Sequence, residues 1–207
     1  MLGGLIFPAM GLAEDGGALA RLTFTKVLEG STPEYLMIAV DSSGEGTYEG
    51  RRLTDPPNPR HMTLSPATTQ RLFELCEELN YFQNVVLESG KKVANLGWKT
   101  LVFERGGRQN RVEFNYTRRR EGDELVNLFE RIAVVQEHIE TLEYAIKYDH
   151  LSLPGELRRI QIDMEKKALA DPELMVPSLE KIVRNRRFLN LAQSRAQDLL
   201  ERIQANN

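Results

Sequence analysis

The fold is decided by the stretch Tyr35-Leu-Met-Ile-Ala-Val-Asp41, Ser42-Ser-Gly-Glu-Gly46, Thr47-Tyr-Glu-Gly-Arg-Arg-Leu53 and, after a proline-rich break, His61-Met-Thr-Leu64. Every position from Tyr35 to Val40 is apolar, so both faces of this segment need cover, as in an interior strand. Residues 42–44 supply a turn, and the chain returns through Thr47 and Tyr48, a β-branched and an aromatic residue. The stretch therefore predicts a hairpin followed by a short strand at residues 61–64.

The glycines of this stretch resemble a phosphate-binding loop at first sight. However, Gly44, Gly46 and Gly50 miss the kinase glycine spacing by one residue, no Walker lysine is present, and no catalytic-loop motif follows. A structural turn between two strands is the better interpretation.

The segments on either side complete a first unit. Residues 21–28 alternate loosely and predict a preceding strand, whereas the prolines at 55–59 interrupt strand pairing. Ser65-Pro66 combines a preferred N-cap with a proline at the first helical position, and so begins a helix. The apolar face of that helix contains Leu72, Leu75, Cys76, Leu79 and Phe82.

A second hairpin is predicted at residues 97–116. Arg105-Gly106-Gly107-Arg108 centres its turn, because adjacent glycines accept the positive φ of a primed turn. In this register Leu101 faces Val112 and Phe103 faces Asn110. The core side should hold Leu101, Phe103, Val112, Phe114 and Tyr116. Trp98 falls on the polar side, where another segment must cover it or it lies on the surface.

The rest of the chain is helical in pattern. Acids at 121–124 begin a helix whose apolar residues, spaced by three and four, continue for about six turns. Ser152-Leu-Pro-Gly155 ends it, and a further helical pattern leads to Leu169. Asp171-Pro172 restarts the chain, and a last stripe from Leu179 through Leu189 to Ile203 predicts one long amphipathic helix.

Together these elements predict an α+β fold, with a mostly antiparallel sheet packed by helices and followed by a C-terminal helical extension. We assign residues 20–148 to the α+β domain and residues 150–205 to the extension. The extension cannot bury its apolar stripes alone, so it must dock on the long helix, on the second face of the sheet, or on another chain. The all-apolar strand at 35–40 favours the second face.

The N-terminus bears on localisation. Residues 2–13 carry no charge and end in Gly-Leu-Ala before Glu14 and Asp15, like the later part of a secretory signal peptide with cleavage after Ala13. This segment is too short to span a bilayer, and no other stretch is apolar enough. A positive n-region is missing, so the alternative is a disordered or strand-forming start. We expect an exported protein, periplasmic or secreted, or a cytoplasmic one if residues 1–13 are not a signal remnant.

Composition narrows the function classes. The 207 residues are 41% hydrophobic and 28% charged, with 27 basic against 30 acidic residues and a net charge of −3. A general nucleic-acid binder usually has a basic excess, so that class is disfavoured. The single cysteine, Cys76, excludes an internal disulfide and a multi-cysteine metal site. The histidines, His61, His138 and His150, have no metal-ligand spacing.

Two arginine runs and one tryptophan are the candidate interaction residues: Trp98, Arg118, Arg119, Arg120, Arg184, Arg186 and Arg187. Either run has the charge to bind phosphates. Acids follow the first run at once, so local pairing or plain solvation is the favoured interpretation. We predict no catalytic residue, no metal ligand and no cofactor.

The order of these motifs resembles a family of small exported bacterial domains of unknown function. The resemblance rests on the tyrosine-bearing strand, the Gly-x-Gly turn, Thr47-Tyr-Glu-Gly-Arg51, Leu64-Ser-Pro66, a helix ending near Tyr81-Phe82 and the later hairpin. It covers about residues 20–148 and leaves the helical extension unexplained. Where some members carry cysteines, this chain has Thr32-Pro-Glu34. The resemblance implies export and the fold, and it carries no catalytic residue over.

Three function classes follow from these patterns. The leading one is a non-enzymatic exported protein that contacts another protein, or itself, through its C-terminal helices. The second is a hydrolase-type enzyme whose carboxylates are dispersed in sequence and gathered in space. The third is a nucleic-acid binder, which requires both arginine runs to form one continuous face.

Overall fold

The structure, a computed structural model, describes residues 19–205 of the chain. The predicted signal remnant at residues 1–13 lies outside the described residues. Six strands form one sheet in the order β4-β3-β2-β1-β5-β6, and all five neighbouring pairs are antiparallel. The strands are β1 Arg21–Val27, β2 Tyr35–Asp41, β3 Glu45–Arg51, β4 Arg60–Thr63, β5 Trp98–Arg105 and β6 Arg108–Phe114.

Five α-helices accompany the sheet, and the predicted α+β class with a C-terminal helical extension is confirmed. Short 3₁₀ turns at Asn80–Phe82 and Pro172–Met175 connect some of the elements. The helices are α1 Pro66–Glu78, α2 Arg120–Tyr148, α3 Leu153–Glu165, α4 Val176–Arg184 and α5 Asn190–Ala205.

The prediction of one long last helix is wrong, because the chain leaves helical geometry between α4 and α5. The Asn185 side chain accepts a hydrogen bond from the Arg187 amide at 3.1 Å, and the Asn185 carbonyl accepts one from the Phe188 amide at 3.1 Å. Such local bonds compete with a helix. The turn buries Phe188 in the helical core and lets α5 pack against α4.

Both predicted hairpins are confirmed. At the β2–β3 turn Gly44 has a φ of +93°, and a Cβ on Gly46 would lie 2.2 Å from the Ala39 carbonyl oxygen, so each position requires glycine. In the β5–β6 hairpin the cross-strand pairs are those predicted, with Leu101 opposite Val112. The glycines at the centres of these turns therefore serve the strand geometry.

A first core joins the inner face of the sheet to α1 and the first half of α2. Phe24 of β1 stacks on Phe129 of α2 with 5.0 Å between ring centroids, and both side chains are fully buried. Of the five residues predicted for the core side of the second hairpin, four are buried and Tyr116 is half-buried. This core fixes α2 across the sheet.

A second core is entirely helical. The later part of α2, from Val135 to Ala145, packs with α3, α4 and α5 around a cluster of fully buried aliphatic side chains. The extension thus packs on α2 and not on the second face of the sheet, where the sequence favoured it. On that outer face β2 presents Tyr35, Met37 and Ala39; the small Ala39 is covered by its neighbours, and the Arg51 guanidinium lies 4.3 Å from the centre of the Tyr35 ring.

One carboxylate ties the extension back to the first unit. Asp171, which is 6% exposed, accepts hydrogen bonds at 2.7 Å from the amide and from the hydroxyl of Ser65, the N-cap of α1, and a further one from the Thr68 hydroxyl. Next to it, the Arg131 guanidinium of α2 donates to the Leu169 carbonyl at 2.6 Å. A negative charge at the start of α1 also complements the helix dipole.

We expect replacement of Asp171 by glycine to lower the free energy of unfolding by about 2–4 kcal/mol, because three partly buried donors lose a charged acceptor. Glycine suits the left-handed backbone at this position, where φ is 56°, so backbone strain does not contribute. Asp171→Asn keeps one oxygen and should lose less. Urea unfolding measures both changes, with Asp198→Ala on the exposed side of α5 as the control; equal stability of Asp171→Gly and the control would contradict the assignment.

Candidate functional site

The residues predicted for an interaction surface lie on different elements of the fold. Trp98 begins β5 on the outer face of the sheet, in one cross-strand row with Val27 and Tyr35, and is 56% exposed. The extension does not cover it. Arg118, Arg119 and Arg120 are exposed at the start of α2, whereas Arg184, Arg186 and Arg187 are exposed at the end of α4 and in the following turn.

The two arginine runs lie at opposite ends of α2. That helix has 29 residues, so it is about 43 Å long. The second run lies beyond its C-terminal end, because Phe188 packs edge-on against His150 with 4.8 Å between the ring centroids. The runs therefore do not form the continuous basic face that nucleic-acid binding would require.

A polar cleft of about 300 Å³ lies between the inner face of the sheet and the start of α2. Its charged groups include Lys26, Lys99, Asp123 and Glu130. Lys26 pairs with Glu130 at 2.7 Å. The Lys99 ammonium, in a side chain that is 7% exposed overall, donates to the carbonyls of Leu96, Gly97 and Asn115 at 3.3, 3.0 and 2.9 Å.

Lys99 acts as a structural ligand for its own chain. An ammonium has three hydrogens, and here each of the three has a carbonyl partner, so the group has no donor left for a substrate. Burial lowers the pKa of Lys99 and the neighbouring Lys26 lowers it further, whereas the nearby carboxylates oppose the change. The lysine holds the segment before β5 onto the end of β6.

The carboxylates of this cleft are Asp123 and Glu130, and Glu130 is held in its ion pair with Lys26. Glu140 has a pKa raised by burial, but it pairs with Arg60 at 3.0 Å beside the buried Tyr48 and does not line the cleft with Asp123 and Glu130. Residues 19–205 also contain no group of three or more histidine, cysteine or acidic side chains placed to hold a metal ion. Buried His138 instead bonds Asp163 of α3 at 3.0 Å.

A group of exposed apolar residues lies at the C-terminal end of α2, and sequence reasoning missed it. We name it the helix-end patch, and it consists of Tyr144, Tyr148, Leu151 and Leu189. These side chains are 61%, 64%, 79% and 48% exposed, although buried clusters lie directly beneath them. Leu189 was predicted to lie on the buried stripe, and this is wrong because the turn after α4 directs Phe188 inward instead.

Two ring contacts and the order of the chain place the residues of this patch at the same end of α2. The Tyr144 and Tyr148 rings lie 5.3 Å apart, one helical turn from each other. Leu151 follows His150 and Leu189 follows Phe188, the two residues whose rings meet across the turn. Exposed apolar groups of this kind are typical of surfaces that bind another molecule.

The rim of the helix-end patch is basic. The Lys147 ammonium lies 4.9 Å from the centre of the Tyr148 ring. Arg186 and Arg187 are exposed, and the salt bridges found within residues 19–205 include none to either of them. One signal in the sequence was available, since Tyr144 and Tyr148 are four residues apart and lie off the apolar stripe that contains Leu142.

We expect the stability conferred by Lys99 to grow as the pH rises from neutrality toward about 10. Because its pKa is lowered in the fold, the unfolded chain binds this proton more tightly, and stability then rises with pH. Urea unfolding of the wild type and of Lys99→Met across this range measures the difference, in which all other groups cancel. A difference that stays constant or shrinks with pH would contradict the expectation.

None of the described helices combines the length and the apolar content that a bilayer crossing needs. No protein-family model and no curated protein matches this chain, so its resemblance to the small exported bacterial domains stays a prediction.

Proposed function

We propose that this protein is an exported, non-enzymatic protein-interaction module that binds a partner through the helix-end patch. The observation that carries the proposal is the exposure of two tyrosines and two leucines at one end of a helical bundle whose core side chains are buried. Tyrosine is enriched at the centres of interfaces, where its large, rigid ring adds contact area.

The charge of the rim favours a different protein over a second copy. Lys147 lies against Tyr148, and Arg186 and Arg187 precede Leu189 in the chain, whereas the acids Glu140 and Glu143 beside Tyr144 are already paired with Arg60. A symmetric contact between two copies would bring these cations close together, at a cost in Coulomb energy. A segment that presents apolar side chains flanked by carboxylates fits both the patch and its rim.

The bundle gives the patch a firm base. Tyr144 and Tyr148 lie on the last turns of α2, whose inner side is anchored by the fully buried Leu142 and by Ala145. A rigid surface loses little conformational entropy on binding, so more of the contact energy remains as affinity.

A photo-crosslinking amino acid at position 148, in cells that produce this protein, tests the proposal. We expect a discrete adduct that falls at least tenfold when Leu151→Ser and Leu189→Ser are combined. Leu53→Ser, a matched change of an exposed leucine outside the helical bundle, should leave the adduct unchanged. Since these side chains are exposed, all variants should keep their unfolding temperature within a few degrees.

Two results would contradict the proposal. One is equal cross-linking from position 109 on the exposed side of β6. The other is a wild-type dimer in light scattering that dissociates in the Leu151 and Leu189 variant, because the occupant would then be a second copy. Reversing Arg186 and Arg187 to glutamate should weaken binding to an acidic partner.

Export is the second part of the proposal, and it is supported by the uncharged run at residues 2–13. Mass spectrometry of the protein purified from its producing cells should then find a mature chain that begins after Ala13. A chain that retains Met1 in the cytoplasmic fraction would contradict export, and it would leave the interaction surface unaffected.

A further inference from the structure

A groove lies between α1 and the tip of the β5–β6 hairpin, away from the helix-end patch. Two cavities of about 600 and 230 Å³ meet there at Tyr81, Phe103 and Arg105. We name this the hairpin groove, and its main lining residues are Phe73, Tyr81, Phe103, Arg105, Arg108 and Asn110. Its combined size falls in the range of small-molecule sites.

The middle of the groove is aromatic. The Tyr81 ring lies against Phe103 with 4.8 Å between centroids and a 37° tilt. Phe103 belongs to the sheet core and is 7% exposed, and Phe73 of α1 adds a partly buried wall. A planar apolar group would find ring faces here in place of water.

An unusual backbone turn places Tyr81 in this position. Asn80, Tyr81 and Phe82 have φ values of 50°, 50° and 63°, three consecutive non-glycine residues in the left-handed region. Each such residue costs about 1–2 kcal/mol. The turn is stabilised by burial of Phe82 and by a 2.9 Å hydrogen bond from the side-chain amide of Asn110 to the Tyr81 carbonyl. Backbone of this kind clusters at ligand sites.

Two cations face each other at the hairpin end of the groove. Arg105 and Arg108 are cross-strand partners on the inner face of the sheet, next to Phe103 and Asn110. Like charges in such a pair repel each other. The salt bridges found within residues 19–205 include none to either arginine, so nothing in that part of the chain neutralises them by direct contact.

The α1 side of the groove carries Glu74 and Glu77, and Glu77 lies beside Tyr81. An anion would therefore be repelled from the α1 side of the groove and attracted to the hairpin end. The charges thus determine the orientation in which an anionic ligand would bind. We propose that the hairpin groove binds a small molecule with an aromatic body and an anionic group, carboxylate or phosphate, with the anion between Arg105 and Arg108 and the ring against Tyr81. This site is independent of the helix-end patch, and neither proposal rests on the other.

Titration calorimetry with 3-phenylpropionate, phenyl phosphate, 3-phenylpropanamide and inorganic phosphate tests the inference on the full chain. We expect one aromatic anion to bind with a Kd of about 1 mM or tighter. The neutral amide and inorganic phosphate should each bind at least tenfold more weakly, since one lacks the charge and the other the ring. The better of the two anions distinguishes a carboxylate ligand from a phosphate ligand.

Matched variants locate the site. Arg105→Gln with Arg108→Gln should weaken binding at least tenfold and leave stability equal or higher, because the variant removes a repulsion. Tyr81→Asn should also weaken binding, and asparagine tolerates the left-handed backbone. Arg111→Gln is the control, since Arg111 lies on β6 with Arg108 but points to the outer face of the sheet.

Three results would overturn the inference. They are the absence of binding by both aromatic anions, unchanged binding in the Arg105 and Arg108 variant, and an equal loss in the Arg111 control. Light scattering is measured in parallel. If the wild type is a dimer and the Arg105 and Arg108 variant is a monomer, the occupant of the groove is a second copy, and this result would also overturn the inference.

Discussion

The structure depends on one helix that serves two hydrophobic cores. The first half of α2 places Leu125, Phe129 and Ile132 against the sheet, and its second half places Val135 and Leu142 among the C-terminal helices. Neither core can form fully without this helix. Because an α-helix transmits position rigidly along its axis, the sheet also determines where the helical bundle begins and which way it extends.

The Asp171 carboxylate supplements this arrangement at a second point. It caps α1 from a distant part of the chain, so the bundle is attached to the first unit through both α2 and the start of α1. Two attachments restrict relative motion more than one does. Both candidate binding surfaces lie away from these attachments: the helix-end patch at the C-terminal end of α2 and the hairpin groove at the tip of β5 and β6.

Local patterns predicted much of the fold. The glycines at 44 and 106–107 marked two hairpins, and the register of Leu101 against Val112 followed from turn length alone. Packing between distant segments was not predictable in the same way. The amphipathic stripe continues on both sides of Asn185, so the sequence pattern does not show the break in the helix there. The break forms because it lets Phe188 pack in the helical core.

The candidate sites were harder to predict than the fold. Trp98 and the arginine runs were visible as residue types, yet chain geometry separates them. The hairpin groove combines Tyr81 with Arg105 and Arg108, which are distant in sequence. Its left-handed turn at residues 80–82 contains no glycine, the residue that would have indicated such a turn in the sequence. Such sites depend on tertiary contacts, which a single sequence does not display.

The strand order has a consequence for synthesis of the chain. β1 pairs with β2 on one side and with β5 on the other, and β5 is translated long after the first four strands. Until Trp98–Arg105 leaves the ribosome, the Arg21–Val27 strand has a free hydrogen-bonding edge that the finished protein lacks. Open edges of this kind invite pairing with other nascent chains. The edge of β1 is therefore open only during synthesis, until the fifth strand pairs with it.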